Sequence, residues 1–311
     1  MDYSFRRDES GSAAARRIAR EQLERAIAEL GSEDDADRAV HSVRKRLKKL
    51  RGLLRLLEGE LGRGAFGVEN RTYRDAGRLL EGPRRAAAVL AAYDGLLERF
   101  PGAVPDAARD ALRERLSRER ERRVDAMHGE SHAREVSASL QASIARLESW
   151  PLAREGWKLC ERGFRRSYAR GRRAFRSALA EPTTERFHEW RKQAKHHWYH
   201  VRLLERVWPD ALRAVGAMLE ALTEELGAEH DLDDLRQALL ERAPAPELAG
   251  ATARLLELIA ARREELRSSA IARGEHVWAE RPRAVAARVG AYHAAWLASG
   301  HDDEEDAGAD V

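Results

Sequence analysis

Residues 39–58 read AVHSVRKRLKKLRGLLRLLE, and residues 186–205 read RFHEWRKQAKHHWYHVRLLE. The two stretches align without a gap at a constant offset of 147 residues, so that basic residues and the closing Leu-Leu-Glu recur at equivalent places. Apolar residues recur every three or four positions in both, which is the period of a helix with one buried face. This pattern predicts burial of Val40, Val43, Leu47, Leu50, Leu54 and Leu57 in the first copy, and of Phe187, Trp190, Ala194, His197, Val201 and Leu204 in the second. The sequence therefore predicts one amphipathic helix that occurs twice.

A second stripe follows each helix about a third of a turn away from the apolar face. It consists of His41, Arg44, Lys48, Arg51 and Arg55 in the first copy, and of His188, Arg191, Lys195, Trp198 and Arg202 in the second, with Lys45 and Lys192 beside it. Like charges three or four residues apart repel each other, and no acidic residue lies between Arg38 and Leu57 to compensate them. An external polyanion explains such a stripe better than solubility does, although a solvated charged surface is the alternative.

The use of lysine points to the same two helices. Of 56 basic residues only six are lysine, and all of these except Lys158 lie in the two repeats. An ammonium group is a compact point charge whose donors can reach phosphate oxygens from several directions. The lysines therefore favour a phosphate-bearing ligand.

The rest of the chain also favours helices. Hydrophobic residues make up 43% and charged residues 35% of the 311 residues, and no run of alternating β-branched residues indicates a strand. Glycine and proline divide the sequence into about ten helices, with the loosest break of the first half at residues 62–67 and a midpoint boundary at Trp150–Pro151. We predict an all-α protein. Its predicted parts are an N-terminal tail at residues 1–11, helical bundles at residues 12–149 and 150–299, and an acidic, disordered tail at residues 300–311.

Composition also bears on the location of the protein. No apolar stretch is long enough to span a bilayer, and residues 1–20 lack the apolar segment of a signal peptide. Cys160 is the only cysteine, which excludes an internal disulfide and suits a reducing compartment. The net charge of +3 includes the acidic tail, so the remainder of the chain is more basic. We therefore expect a cytoplasmic protein with an anionic partner and no membrane association.

Several motifs, taken in order, resemble the CHAD domain, a family named for histidines in an α-helical domain. Both repeats have its pattern of a histidine, an arginine three residues on and a basic helix. The stretch GFRRSYARGRRA at residues 163–174, followed by EPTTERFHEWRK at residues 181–192, is similar to the opening of the family's second half. Each motif has low specificity alone, and their order makes the resemblance more specific.

Two further segments extend the resemblance to about residues 12–299. LGAEHDLDDL at residues 226–235 resembles the family's LGxxRDxxxL segment, with His230 in the arginine place. The first-half counterpart, EGPRRAAAVL at residues 81–90, has Ala86 where aspartate is usual. The family is often fused to a CYTH triphosphatase domain, but the ExExK strand that such a domain needs is missing from the sequence.

The resemblance implies two four-helix bundles related by a pseudo-twofold axis, with a basic cleft or pore between them. It also implies non-catalytic binding of inorganic polyphosphate and attachment to polyphosphate granules, with no cofactor, metal or catalytic residue. The contacts carried over onto the repeats are His41, Arg44, Lys45, Lys48, Arg51, Arg55, His188, Arg191, Lys192, Lys195 and Arg202. The helices that precede the repeats add Arg16, Arg17, Arg20, Arg165, Arg166, Tyr168, Arg172 and Arg173.

Other functions remain as alternatives. A basic surface also suits nucleic acid or another polyanion, but no DNA-reading motif and few aromatic residues for base stacking accompany it. An enzyme that processes phosphoanhydrides would need organised carboxylates and a divalent cation, and the sequence shows no such arrangement. We therefore predict a binding protein rather than an enzyme.

The histidines and one acidic cluster allow more than one role. Pairs at His196/His200 and His128/His132 have zinc-like spacing but no third ligand nearby in the sequence,. The repeated His41 and His188 either contact phosphate or pack at a junction between helices. The acidic residues of the second half are expected to cap a helix or pair with arginine rather than bind a metal; they are Asp231, Asp233 and Asp234.

Overall fold

The repeated stretches form two of the eleven α-helices in the part of the chain that the structure describes. The computed structural model describes residues 3–31, 36–80, 82–125, 130–241 and 245–299. Its helices are α1 (Gly11–Leu30), α2 (Ala36–Leu56), α3 (Glu58–Leu79), α4 (Gly82–Arg99), α5 (Asp106–Asp125), α6 (Glu130–Arg146), α7 (Trp157–Ala180), α8 (Thr184–Leu203), α9 (Pro209–Leu240), α10 (Ala249–Val277) and α11 (Pro282–Ala298). Within these ranges there is no strand, so the predicted all-α class is confirmed.

The apolar faces predicted for the repeats form much of the core. In α2 five of the six predicted positions are buried, and the sixth, Val40, packs against the core from its edge. In α8 all six predicted positions are buried, and Trp190 has no exposed surface. The period of three to four apolar residues therefore located the inward face of both helices correctly.

Most of the core is continuous through both halves of the chain. Helices α1, α2, α3 and α6 pack together, as do α7, α8, α9, α10 and α11, and α2 also packs against α7 and α8. The main apolar cluster accordingly contains buried residues from Tyr3 to Trp296. A second cluster joins the hairpin of α4 and α5 to the ends of α9 and α10 around Tyr93, Leu112, Leu235 and Ile259. The two halves thus share one interior rather than packing as two separate cores.

Residues 62–67, predicted as the loosest break of the first half, lie inside helix α3. The helix is only kinked, at Gly62, where φ is 68° and ψ is 177°. A positive φ is open to glycine at little cost, so one residue absorbs the change of direction. The remaining residues of the segment are helical, so the predicted break is present but is confined to Gly62.

The N-terminal segment packs on the folded core rather than extending from it. Tyr3 and Phe5 are buried. The Tyr3 hydroxyl donates to the Lys49 carbonyl at 2.7 Å, and the Phe5 amide donates to the Leu203 carbonyl at 3.1 Å. This segment therefore contacts both α2 and the C-terminal end of α8. The predicted acidic tail at residues 300–311 lies outside the described residues, and no described helix is long and apolar enough to cross a membrane.

Two interior carboxylates fix the bundle helices to one another. Glu69 of α3 is 2% exposed and accepts hydrogen bonds from Arg146 and Ser143. Glu229 of α9 is 1% exposed and accepts from two arginines of α10. Because a buried charge is costly unless it is paired, these contacts tie α3 to α6 and α9 to α10, and they give both carboxylates a structural role.

Candidate anion-binding site

The two repeated helices touch each other directly. A Cβ atom added to Gly52 of α2 would lie 2.8 Å from the Cβ of Tyr199 of α8, so only glycine allows the helices to approach this closely. At the same place His200 Nε2 donates to the Gly52 carbonyl at 2.9 Å. The contact brings the basic residues of both repeats into one region of the molecule.

One set of basic residues lies on the side of this contact that faces α7. We call it the Arg55 group, and it consists of the cations Arg51, Arg55 and Arg170, with the buried ring of His196 beside them. Burial, with repulsion from Arg51 and Arg170, lowers the pKa of Arg55 to about 10. Its Nε has no hydrogen-bond partner among the described residues. Burial, followed by repulsion from Arg55 and Arg51, also lowers the pKa of His196. Glu58, which pairs with Arg170, and Glu189 offset part of this repulsion, so the packed helices hold the arginines together with only partial compensation.

A second set lies on the other side of the contact. We call it the Lys195 group, and it consists of Lys45, Lys49, Lys195 and Arg202. Burial lowers the pKa of Lys195 to about 8, with further lowering by Arg191 and Lys45 that Glu220 and Glu224 partly offset. Burial also lowers the pKa of Lys49 to about 8, and Arg202 is the first of the cations that add to this effect. Both ammonium groups would thus be stabilised by an added anion.

The tryptophan that replaces a cation in the second repeat supports the Lys195 group. Trp198 occupies the position of Arg51 and is only 4% exposed. The Lys195 Nζ lies 4.2 Å and the Arg202 Cζ 5.1 Å from the centre of its ring. Such cation–π contacts favour the charged form, and Lys195 also donates to Thr223 Oγ1 at 3.2 Å. The indole therefore positions two cations although it bears no charge.

The two groups lie on different flanks of α2. At about 100° per residue, Gly52 lies between the flank of Arg51 and Arg55 and the flank of Lys45 and Lys49. We predicted that the two stripes line one shared cleft. Lys45 contributes to the lowered pKa of Lys195, and Arg55 and Arg51 contribute to that of His196, so each stripe lies beside basic residues on the other flank of the partner helix. An anion in contact with both groups would therefore have to pass the point where the helices touch.

The repeated histidines occupy different environments. His41 is exposed near the start of α2. His188 is half-buried, and its ring lies 4.4 Å from the ring of His230 of α9. Burial, followed by repulsion from His230, lowers the pKa of His188. His188 is thus packed at a junction between α8 and α9, as one of the two predicted roles requires.

Several other predicted contacts lie beside the two groups. Arg44 donates to the Gly77 carbonyl of α3, and Arg191 lies against Gly227 of α9. Each repeat thus places its arginine over a glycine of the next helix. Lys48 is partly buried on the flank of Arg51, whereas Lys192 pairs with Glu189 on its own helix.

The predicted arginines of α1 are placed elsewhere. Arg16 donates to the carbonyls of Leu147 and Trp150. Arg17 pairs with Glu9 and Glu21, and Arg20 pairs with Glu148 at 2.9 Å. These contacts fix α1 to the N-terminal segment and to the turn after α6. The structure therefore does not bring Arg16, Arg17 and Arg20 together with the cations of α2 and α8.

The predicted residues of α7 also separate from the repeats. Tyr168 is buried, and its hydroxyl donates to the Glu280 carbonyl at 3.3 Å. Arg173 is exposed. The others line an open cavity between α7 and the start of α11, which we call the arginine cavity. Its arginines are Arg162, Arg165, Arg166, Arg172, Arg281 and Arg283.

The sequence prediction missed several of these cations. Lys49 and Arg170 follow predicted residues, Lys45 and Arg166, by four positions, so a helical count could have found them. Arg281 and Arg283 begin a helix more than a hundred residues beyond α7, and only the folded chain brings them near Arg165,. Two residues of the acidic cluster pair with arginine, as predicted. Asp233 pairs with Arg236, and Asp234 pairs with Arg85.

The described residues offer no evident metal site. No three side chains of the histidine, cysteine, aspartate and glutamate types converge within them. Of the two histidine pairs with zinc-like spacing, one includes His128, which lies outside the described residues. In the other, His200 has its Nε2 engaged by the Gly52 carbonyl.

Buried histidines predict a loss of stability in mild acid. His197 and His200 are almost fully buried. Burial lowers the pKa of His200 to about 3 and that of His197 well below its ordinary value. In the unfolded chain both would titrate near about 6.5. Above that pH neither state binds these protons. As the pH falls below it, the unfolded chain takes up two protons that the folded protein excludes, so stability is lost.

We expect the protonation of His197 and His200 in the unfolded chain to reduce the free energy of unfolding by about 2.7 kcal/mol per pH unit as the pH falls from about 6 to about 5. Urea denaturation at several pH values measures the slope. His200→Gln keeps a donor for the Gly52 carbonyl and should halve the contribution, whereas His276→Gln, at an exposed histidine, should leave it unchanged. Equal slopes for wild type and His200→Gln would contradict the prediction.

Comparison with known proteins gives one family. The model of the CHAD domain matches residues 14–240, and no other domain is detected. The match includes both repeated helices and ends at the last residue of α9. No curated protein matches the chain significantly.

Proposed function

The chain belongs to the CHAD domain family, and we propose that it binds inorganic polyphosphate, without catalysis, through the Arg55 group and the Lys195 group. One observation supports this function above the others. The packing of α2 on α8 at Gly52 and Tyr199 places cations of both repeats beside one contact, where burial, followed by repulsion from neighbouring cations, lowers the pKa values of Lys49, Arg55 and Lys195. A bound polyanion would remove this repulsion, so part of the binding free energy would come from its relief.

A linear ligand suits the arrangement better than a single phosphate. The two groups lie on opposite flanks of the contact between α2 and α8, and a compact ion could neutralise only one of them. A chain of phosphates could pass the contact and meet both. Each added contact releases further counterions, so affinity should rise with chain length and fall steeply with salt.

The finer architecture is part of this proposal. The packing of α1, α2, α3 and α6, and of α7 to α11, is compatible with two related bundles. In this arrangement a pseudo-twofold axis would pass near the contact of Gly52 with Tyr199. The axis would relate the flank of the Arg55 group to the flank of the Lys195 group. The basic cleft or pore would then run past this contact. Retention of the protein at polyphosphate granules in the cytoplasm would follow from such binding.

Competition experiments separate this function from its alternatives. Bases stack on accessible aromatic rings, but Trp198 and Tyr3, whose rings contact Lys195 and Lys49, are both buried. Long-chain polyphosphate should therefore displace labelled polyphosphate far better than duplex DNA or orthophosphate does. Equal displacement by DNA would favour a general polyanion site, and release of phosphate in the presence of Mg²⁺ or Mn²⁺ would indicate an enzyme.

Affinity for polyphosphate should fall at alkaline pH. The pKa values of Lys49 and Lys195 lie at about 8 in the unliganded protein. Phosphate favours the charged form and so raises both pKa values in the complex. The two lysines therefore contribute fully to polyphosphate affinity below about pH 8. This contribution is lost as the pH rises from the pKa values of the free protein through the higher pKa values of the complex. Isothermal titration calorimetry from pH 7 to pH 10 measures the effect.

Arginine at the same positions provides the matched control. Lys49→Arg with Lys195→Arg keeps more of both charges over this range, because a guanidinium group has a higher pKa than an ammonium group in the same surroundings. The variant should show a flatter pH profile than wild type. If wild-type affinity were unchanged up to about pH 10, the two lysines would not contact the ligand in the proposed way.

A further inference from the structure

We infer that a pocket between the N-terminal segment, the start of α7 and the end of α11 binds a small aromatic carboxylate. We call it the aromatic pocket, and its apolar and aromatic lining consists mainly of Phe5, Trp157, Cys160, Leu204, His293 and Trp296. Much of this lining comes from before residue 14 or after residue 240, outside the family match. The pocket is therefore independent of the polyphosphate binding proposed for the repeats.

The size of the pocket suits a ring system larger than benzene. Its volume is about 220 Å³. An engineered apolar cavity of about 150 Å³ stays dry and binds benzene, so the aromatic pocket has room for two fused rings. Sites for drug-sized molecules usually exceed about 300 Å³. The expected ligand is therefore a compact bicyclic molecule rather than a large cofactor.

Flat rings form the walls of the pocket. The ring of His293 lies 6.5 Å from that of Trp157 and 5.7 Å from that of Trp296, measured between ring centres. Burial lowers the pKa of His293, so its imidazole is uncharged at neutral pH. Aromatic rings attract each other in offset or edge-to-face arrangements at centre separations of about 4.5–7 Å. A flat aromatic ligand could therefore make the same kind of contact with these walls.

Packing holds these walls in place. Trp157 packs on Gly290 of α11, where an added Cβ atom would lie only 2.6 Å from the indole Nε1. On the opposite side Arg7 covers the ring of Trp296, with its Cζ 5.2 Å from the ring centre. The Arg7 Nη2 also donates to Ser299 Oγ at 3.3 Å. Walls that are fixed before binding lose little conformational entropy when a ligand enters.

The charges at the rim of the pocket favour a carboxylate on the ligand. Arg6 borders the pocket and forms no ion pair within the part of the chain that the structure describes. The carboxylates of the rim are engaged elsewhere, since Glu9 accepts from Arg17 at 2.8 Å and Glu155 accepts from the Ser12 hydroxyl at 2.8 Å. A ligand carboxylate could therefore form a charge-assisted hydrogen bond with Arg6 while its rings lie in the pocket.

Calorimetry with 2-naphthoate tests the ligand class, with 2-naphthylmethanol as the neutral analogue of similar size. 2-Naphthoate should bind the full chain with a Kd of about 0.1 mM. The alcohol should bind about tenfold more weakly, because it cannot form the charge-assisted contact. Arg6→Gln should weaken the binding of 2-naphthoate about tenfold and leave that of the alcohol unchanged. Arg283→Gln, at an exposed position near the other end of α11, makes the same change in charge and should bind 2-naphthoate normally.

The tryptophan side chains report where the ligand binds. The chain has seven tryptophans, each with an indole N–H signal in a ¹H–¹⁵N correlation spectrum. 2-Naphthoate should shift the signals of Trp157 and Trp296, which Trp157→Phe and Trp296→Phe assign, and should leave that of Trp198 unchanged. Cys160→Met should fill part of the pocket and abolish both shifts. Cys160→Ser nearly keeps the size of the side chain and should preserve them.

Three results would overturn the assignment of this pocket. If 2-naphthoate shifted neither Trp157 nor Trp296, or shifted all seven indole signals alike, it would not bind in the aromatic pocket. If the neutral alcohol bound as tightly as the carboxylate, Arg6 would not select an anionic ligand. Equal binding of 2-naphthoate to Arg6→Gln and Arg283→Gln would exclude the same role for Arg6. None of these results bears on long-chain polyphosphate, which is measured separately on the repeats.

Discussion

Replacement of Lys48 and Lys195 by glutamate is expected to weaken the binding of long-chain polyphosphate by about 1,000-fold. Each lysine belongs to a different repeat and lies on a different flank of the contact between α2 and α8. A charge-assisted hydrogen bond contributes about 1.5–3 kcal/mol, so two lost contacts correspond to about a thousandfold change. The reversed charges would also repel the ligand. Calorimetry at constant salt measures the loss.

The controls separate charge from folding. Lys158→Glu with Arg254→Glu makes the same change in net charge at exposed positions outside both repeats and should keep nearly full affinity. Lys48→Gln with Lys195→Gln should give an intermediate loss, because it removes attraction without adding repulsion. Circular dichroism should show unchanged helicity for all three variants. Wild-type affinity in the glutamate variant would show that the ligand binds elsewhere.

Gly163→Ala is expected to reduce the free energy of unfolding by about 3 kcal/mol or more. A Cβ atom at this position of α7 would lie 1.9 Å from the Leu56 carbonyl oxygen and 2.8 Å from the Arg55 carbonyl oxygen. Both atoms belong to the backbone of α2, so no side chain can rotate away to make room. Separation of α2 from α7 would also displace the Arg55 group. Guanidinium denaturation measures the change in stability.

Gly95→Ala is the matched control for this substitution. Gly95 lies on α4, and an added Cβ atom there would meet no atom within 4 Å. Alanine is the better helix former by about 1 kcal/mol, so the control should be as stable as wild type or more so. If Gly163→Ala were equally stable, the close approach of α2 and α7 described here would be incorrect.

The sequence predicted those features of the fold that depend only on the periodicity of a single helix. The apolar positions of both repeats form the core because burial of a single helix face depends only on spacing along that helix,. The break predicted at residues 62–67 is confined to Gly62, because a cluster of glycines does not reveal that only this residue adopts a positive φ. The existence of the helices was thus predictable, and the extent of the break in α3 was not.

The arrangement of the site depended on contacts between helices. The contact at Gly52 brings Lys49 close to Arg202 and Arg55 close to His196, and no property of the separate sequences specifies this pairing. Likewise, the partners that engage Arg16 and Arg172 are backbone carbonyls of distant turns. The sequence therefore indicated which residue types bind an anion, while the packing of α2 on α8 determined which cations share a flank.

Chemical labelling of lysine tests the central claim most directly. The chain contains six lysines, of which Lys158 lies outside the repeats and serves as an internal control. Reductive methylation with mass spectrometry, with and without long-chain polyphosphate, compares their reactivity. We predict that polyphosphate protects Lys45, Lys48, Lys49 and Lys195 while Lys158 reacts as before. Equal reactivity of all lysines with and without the ligand, or protection of Lys158 alone, would contradict it.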